Sequence, residues 1–160
     1  MTDPFAPTTL GPIPLRNHFI KAATFEGMAV DNLVTDRLID FHRVMAAGGL
    51  GMTTVAYLAV SPDGQGAPAE IVVRPEAVEG LRRLADAVHA EGAAVSAQLG
   101  HAGPVAAGTG HTGLAPSRQF SPMAMPSNVA ALMKWLRSGT GPSVVAANGS
   151  VTVPPRGRRG

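Results

Sequence analysis

The sequence predicts an α/β fold, because three apolar strand-like segments alternate with two amphipathic helical segments. The strand-like segments recur at intervals of roughly 40 residues, which fits the opening of either a (β/α)8 barrel or a doubly wound sheet. With 160 residues, of which 45% are hydrophobic, the chain is long enough for one compact domain with a buried core. This pattern by itself leaves both parallel-sheet architectures open.

The first predicted strand covers residues 18–24. Residues 8–16, which precede it, carry two prolines around a glycine, a composition typical of a small ribbon or turn. Residues 25–29 are predicted to form the loop that leaves the strand. Glu26 lies in that loop, where a solvated or structural carboxylate is the favoured interpretation, because acid or base catalysis would need a partner group that the sequence does not identify.

The first helix is predicted to begin after Thr35, an N-cap residue, with Asp36 in its first turn. The pair Gly48 and Gly49 is typical of a helix end, which favours a C-cap over a phosphate loop at this point. The predicted buried stripe consists of Leu38, Phe41, Val44 and Met45.

The second strand is predicted over residues 50–60, where apolar and β-branched residues run without clean alternation, as in strands covered on both faces. Residues 61–74 are predicted to form a long loop of the kind that carries function. A second helix is predicted to start at Pro75 and end at Gly92. The third strand is predicted over residues 94–104.

Three sequence segments and their order carry a resemblance to a known family. They are Leu-Arg-Asn-His-Phe-Ile leading into Ala-Ala-Thr at 15–24, Ala-Val-Ser-Pro-Asp-Gly at 59–64, and Gln-Leu-Gly-His-Ala-Gly at 98–103, followed by Ala-Pro-Ser at 115–117. Over residues 8–125 the chain resembles the Old Yellow Enzyme family of NADH:flavin oxidoreductases. The resemblance implies a TIM barrel that binds FMN at the carboxyl ends of its strands, takes hydride from NAD(P)H and passes it to an activated alkene or similar acceptor.

The resemblance also implies four cofactor-binding residues. Ala23 and Thr24 match the first-strand positions that contact the flavin largely through their backbone, and Tyr57 matches a second-strand position whose backbone approaches the ring. Gln98 matches the amide that binds the pyrimidine edge, a role suited to a side chain with both a donor and an acceptor. Pro104 stands where the family often has arginine, and Phe25 where some members have a redox-tuning cysteine.

The family's substrate-binding His/His or His/Asn pair and its phosphate-binding basic residues lie on later strands, and nothing after Met125 matches them. We therefore expect no catalytic residue in this chain, which is predicted to be inactive alone. Residues 1–125 are predicted to be the first portion of a barrel of about three βα units. Residues 126–160 are predicted to be an irregular Gly/Pro/Arg-rich tail, arising by truncation or a shifted reading frame, with one short helix at 127–137.

Charge separates the two parts of the chain. All eleven carboxylates lie at or before Glu91, against seven lysines and arginines there, whereas six basic residues and no acid follow. The cluster at 156–159 is the basis of a rival hypothesis, a nucleic-acid or membrane contact, but three arginines without a neighbouring aromatic residue are weak support. A non-catalytic α/β binding module with lost flavin chemistry is the alternative to the enzyme hypothesis.

Other sequence features set the remaining expectations. The five histidines show no metal-ligand spacing, so no metal site is predicted, and His101 is predicted as a structural residue or a flavin or substrate contact. With no cysteine, no signal peptide and no apolar run of membrane-spanning length, a cytoplasmic protein is expected. Three strands of an unclosed barrel predict self-association through the open sheet edge.

Overall fold

The computed structural model describes residues 3–102, residue 106, residues 145–147 and residues 150–153. The helix predicted at 127–137 and the arginine cluster at 156–159 lie outside the described residues. The division of the chain at residue 125 stays a prediction.

The described elements begin with a hairpin of β1 (Thr8–Leu10) and β2 (Ile13–Leu15). They continue with β3 (Ile20–Lys21), α1 (Asp36–Ala47), β4 (Met52–Ala59), a 3-10 turn (Pro62–Gly64), β5 (Ile71–Val72), α2 (Ala77–Ala90) and β6 (Ala94–Gly100). Two further strands are β7 (Val145–Ala147) and β8 (Ser150–Val153).

The main sheet has the strand order β3-β4-β6-β8-β7, with β5 added to the end of β4. Strands β3, β4 and β6 are parallel, and β5 also runs parallel to β4. Strand β8 pairs antiparallel with β6, and β7 pairs antiparallel with β8. The parallel strands with α1 and α2 between them confirm the predicted α/β class.

The main core lies between the two helices and the sheet. Both helices contribute buried apolar residues, and the facing strands contribute small and β-branched ones, so burial there removes a large apolar area from water. Fully buried members include Leu38, Val55, Leu58, Leu84 and Val88.

A second, smaller core closes the amino-terminal ends of the strands. Ile13 and Leu15 of the β1–β2 hairpin pack in one buried cluster with Met52 and Ala94, the first residues of β4 and β6. The hairpin therefore covers the end of the sheet opposite to the predicted ligand site.

Arg16 joins this end of the sheet to both helices. Its guanidinium donates to the backbone carbonyl of Ala46 in the last turn of α1, to that of Leu50 at 3.0 Å and to that of Glu91 at 2.9 Å. The last carbonyls of a helix lack intrahelical partners and carry partial negative charge, so a guanidinium is well suited to this position.

The ends of α1 agree with the sequence prediction, but its buried face differs. Thr35 is the N-cap, with its Oγ1 accepting from the Leu38 N–H at 3.2 Å. The face that packs on the sheet carries Leu38, Ile39, His42 and Ala46, whereas Val44, predicted as buried, is 58% exposed. The apolar pattern predicted a different face because His42, a polar residue, lies at the centre of the face that is buried.

Three other predictions are corrected. Strand β3 is shorter than the predicted 18–24, because the Thr24 N–H turns back to the Ala22 carbonyl at 3.0 Å and leaves the ladder. Helix α2 begins at Ala77, two residues after Pro75. The predicted loop at 61–74 contains the 3-10 turn and β5.

Within the described residues, no helix combines the length and apolarity needed to span a bilayer.

Candidate functional site

A bulge lies near the carboxyl ends of β4 and β6. Val55 of β4 pairs with Ala97 of β6, and the next register pair joins Leu58 to Leu99. Two residues of β4, at positions 56 and 57, therefore oppose the single residue at position 98 of β6. A bulge of this kind removes residues from the ladder and redirects their side chains, and it occurs frequently beside active sites.

Gln98, the residue opposite the bulge, has an unsatisfied acceptor. Its Oε1 is buried and has no hydrogen-bond partner, one of three such side-chain atoms among the described residues. Leaving a buried acceptor unpaired costs about 1–3 kcal/mol, so a buried acceptor without a partner indicates a position where a ligand binds or another role is served. A ligand with a hydrogen-bond donor at this place would satisfy it, which fits the flavin-binding role predicted for Gln98.

Tyr57, the second residue of the bulge, contacts the ring of Phe25. Its side chain is 37% exposed, and its ring stacks on that of Phe25 with centroids 6.1 Å apart and planes at 10°. The predicted site residues Ala23 and Thr24 precede Phe25 directly, with Ala23 half-buried and Thr24 exposed. The structure thus brings the segment after β3 against the bulge, on the strand next to Gln98.

Glu26 fastens this segment to the bulge. Its Oε2 accepts from the Ala56 N–H at 3.0 Å, and its own N–H donates to the Ala56 carbonyl at 3.3 Å. Its Oε1 forms an ion pair with Lys21, and the Glu26 side chain is only 3% exposed. Burial raises the pKa of Glu26, against the opposing effects of Lys21 and the Ala56 N–H. The carboxylate is structural and buried, so the solvated alternative is excluded.

A buried histidine completes this polar cluster. His42 Nδ1 forms a 2.7 Å hydrogen bond with Thr53 Oγ1, while Nε2 lies 3.6 Å from Glu26 Oε1 and has no hydrogen-bond partner. Burial, and then the positive charge of Lys21, lower the pKa of His42 to about 3. Glu26 does little to reverse this shift, because the Lys21 ammonium already occupies the same carboxylate oxygen. His42 is therefore neutral at neutral pH.

The loop after β4 packs on His101. Gly64 lies so close to that imidazole that an added Cβ would be 2.6 Å from Cδ2, and the Gly64 carbonyl accepts from the Ala102 N–H at 2.8 Å. Glu70 secures the same loop, with Oε2 accepting from the backbone N–H groups of Gly66 at 2.6 Å and Ala67 at 3.3 Å. These contacts give His101 a structural role and leave its predicted ligand contact open.

Sequence reasoning missed the polar cluster around Glu26. Its members Lys21, His42 and Thr53 come from three different elements, and no spacing rule links them. The available signal was indirect, since a lysine inside a predicted buried strand and a histidine among apolar helix residues each require a polar partner. In the part of the chain that the structure describes, no three metal-ligating side chains come together.

The model of the NADH:flavin oxidoreductase / NADH oxidase family matches residues 3–137. A curated relative, 4,4'-dithiodibutanoate disulfide reductase of Rhodococcus erythropolis, is 54% identical over 123 residues, which are 76% of this chain and 30% of the relative. The chain thus spans about a third or less of the curated relatives it matches.

Solved structures give the same picture of the fold. Morphinone reductase in complex with tetrahydroNAD matches with a TM-score of 0.61 at 23% identity, over 66% of this chain and 29% of that protein. The Old Yellow Enzyme homologue of Zymomonas mobilis matches with a TM-score of 0.57 at 25% identity, over 64% and 29%. These neighbours are TIM barrels, so the described strands and helices correspond to part of such a barrel.

Proposed function

Because the chain belongs to the NADH:flavin oxidoreductase / NADH oxidase family, we propose that it forms the first part of a barrel and supplies one wall of an FMN site. FMN with NAD(P)H as reductant is the cofactor pair of that family. The observation that carries the proposal is the buried Oε1 of Gln98, which lacks a partner where the family's flavin amide is expected.

The proposed wall has three parts. Gln98 binds the pyrimidine edge of the isoalloxazine through its amide, and the bulge presents the backbone of Tyr57 to the ring. Ala23 and Thr24 approach from the segment after β3. Hydrogen bonds to the ring shift its electron demand, so the amide both orients the cofactor and tunes it. When bound, FMN supplies two-electron chemistry in which hydride passes from NAD(P)H to an electron-poor acceptor.

We propose an activated alkene or a similar small molecule as the acceptor, as in an ene-reductase. The relative from Rhodococcus erythropolis is named for the reduction of a disulfide, so a disulfide belongs in the same assay panel. No described residue is proposed as a catalytic acid, base or nucleophile. We therefore propose that the 160-residue chain by itself binds flavin weakly and turns nothing over.

Flavin titration of the purified chain tests the proposal. Because the residues for the ribityl phosphate are expected on later strands, riboflavin and FMN should bind with equal, weak affinity. Gln98→Leu should weaken both about 5–10-fold, as expected for the loss of a net hydrogen bond of about 1–1.5 kcal/mol. Ser96→Ala is the matched control, because Ser96 is buried two residues earlier and its hydroxyl is bonded to Thr54 Oγ1 at 2.7 Å.

The result that contradicts the flavin site is equal affinity in the wild-type chain and Gln98→Leu, or no flavin binding by a wild-type chain shown to be folded by circular dichroism. The result that contradicts the inactivity of the chain alone is stoichiometric FMN binding with sustained NADPH oxidation.

The predicted self-association concerns β3, which ends the described sheet on one side, whereas β8 covers β6 on the other. Phe19 and Ile20 lie partly exposed at that edge, and Phe19 packs on Phe5 with ring centroids 5.0 Å apart. We propose that β3 pairs with further chain, either the rest of a barrel or a second copy. Size-exclusion chromatography of the purified chain tests the second case, and a concentration-independent monomer would contradict it.

A further inference from the structure

The bulge at Ala56 removes that residue from the β4–β6 ladder, so its backbone groups need other partners. Neither Ala56 nor Tyr57 has a register partner on β6. Ala56 is buried, and an unpaired buried N–H or carbonyl would be costly. Both groups bind Glu26, the N–H through the carboxylate at 3.0 Å and the carbonyl through the Glu26 N–H at 3.3 Å. Glu26 alone therefore provides hydrogen-bond partners for both backbone groups of Ala56.

Lys21 holds the carboxylate in this position. Its ammonium binds Glu26 Oε1, the Thr54 carbonyl at 2.9 Å and the Ala22 carbonyl at 3.1 Å, so all three donors are used. Lys21 lies opposite Thr53 in the β3–β4 register. The ion pair thus ties the segment after β3 to β4 at both Thr54 and Ala56. A buried ion pair whose donors are all used is rigid. Lys21 can therefore hold the Glu26 carboxylate in a fixed position relative to Ala56.

A ring contact extends this link to Tyr57. Phe25 directly precedes Glu26, and its ring lies parallel to that of Tyr57. The pairs 25–26 and 56–57 are therefore joined by a backbone bond, a side-chain bond and a stacked ring contact. A change in the bond at Ala56 would be transmitted to Tyr57, the next residue, and to the face of the bulge opposite Gln98.

We propose that Glu26 is a positioning residue of the flavin site: by binding both backbone groups of Ala56 it fixes the bulge that presents Tyr57 to the isoalloxazine. The flavin part of this inference rests on the proposed function, whereas the control of Tyr57 by Glu26 does not. Glu26 does not touch the ligand, and its effect passes through the backbone at 56–57.

Two double variants isolate the bond to Ala56. Lys21→Met/Glu26→Gln removes both charges and keeps an acceptor for the Ala56 N–H, and Lys21→Met/Glu26→Leu removes that acceptor as well. Replacing both members of a buried ion pair avoids leaving one charge unpaired, so both variants are expected to fold. At position 26 they compare a carboxamide with an alkyl group of similar size, and only the carboxamide can accept from the Ala56 N–H.

Tyr57 supplies a readout that needs no ligand, because it is the only tyrosine of the chain. In protein grown with fluorotyrosine it gives a single fluorine NMR signal. The glutamine double variant should keep the wild-type signal and bind riboflavin within about threefold of wild type. The leucine double variant should shift or split the signal and bind about tenfold more weakly, as expected for the loss of a well-formed hydrogen bond.

Glu70→Leu is the matched control for general destabilisation. Glu70 is also a buried carboxylate that accepts from two backbone N–H groups, but it secures the loop after β4 instead of the bulge. Its replacement should lower the urea midpoint and leave the Tyr57 signal in place. An equal movement of the signal in Glu70→Leu and in the leucine double variant would overturn the positioning role.

The other possible results of these experiments also test the positioning role of Glu26. Identical signals in the two double variants overturn the inference, whether or not flavin binds. If the wild-type chain binds no flavin, the proposed function fails for this chain and the Tyr57 signal alone decides the role of Glu26. If the leucine variant does not fold, Glu26→Asp replaces it, because the shorter side chain cannot reach both Lys21 and Ala56. An unmoved signal in that variant overturns the inference.

Discussion

Acidification should destabilise the fold through His42. Its side chain is completely buried, Nε2 has no hydrogen-bond partner, and the neighbouring Lys21 ammonium opposes a second positive charge. The pKa of His42 is about 3 in the folded chain and about 6.5 in the unfolded chain. Below pH 6.5 the unfolded state therefore binds a proton that the folded state does not. The stabilisation is complete above that pH and is lost as the pH falls toward 3.

The size of the effect follows from the pKa difference. Integrated over the whole window the loss reaches about 5 kcal/mol, and about 2 kcal/mol of it falls between pH 7 and pH 5. The raised pKa of Glu26 acts in the opposite direction, because the folded state then takes up that proton more readily than the unfolded state as the pH falls. It therefore offsets part of the histidine effect in the wild-type chain, and it cancels in a comparison with a variant that changes His42 alone.

Urea unfolding of the wild-type chain and of His42→Gln, at about pH 7, 6 and 5, measures this effect. The glutamine amide can still bond to Thr53 but does not titrate in this range. The free energy of unfolding of the wild type should fall by about 2 kcal/mol more than that of the variant between pH 7 and pH 5. Parallel pH dependences for the two proteins would refute the reasoning, because they would show that His42 takes up its proton equally in both states.

Three further substitutions test the packing around the sheet, all by urea or thermal unfolding. Arg16→Met removes a guanidinium bound to three backbone carbonyls and should cost about 2–3 kcal/mol, whereas a neutral effect would show that water replaces those bonds. Gly80→Ala places a Cβ 2.8 Å from Val34 Cβ, so overpacking of about 1–3 kcal/mol should outweigh a helix-propensity gain of about 1 kcal/mol. A more stable Gly80→Ala would contradict this contact. Thr35→Ala removes the N-cap of α1 and should cost about 1 kcal/mol.

Both ends of α1 and the carboxyl end of α2 could be predicted from the sequence because they depend on local chemistry. Thr35 caps α1 through its own hydroxyl, and Gly49 and Gly92 adopt positive φ angles of 101° and 77° just after the two helices. The buried face of α1 could not be predicted in the same way. It depends on His42 finding Thr53 on the neighbouring strand, and apolar periodicity treats a histidine as a surface residue.

The bulge in β4 was hidden for a related reason. Residues 50–60 lack alternation, which is typical of any strand buried on both faces, so no pattern marks where an extra residue is inserted. The carboxylate that binds the Ala56 N–H belongs to Glu26, which lies 30 residues earlier in the segment after β3. Gln98 could be singled out only through family resemblance, since its strand alone predicts no more than a polar residue near a strand end.

The β1–β2 hairpin lies at the amino-terminal end of the sheet, and substitutions at this end should have different effects from substitutions at the carboxyl end. Ile13 and Leu15 seal the amino-terminal ends of the strands, while Tyr57 and Gln98 lie toward the opposite ends. In parallel α/β barrels the carboxyl end carries function and the amino end carries stability. Stabilising substitutions introduced around the hairpin should therefore leave ligand selectivity unchanged, and a search for altered selectivity should leave the hairpin untouched.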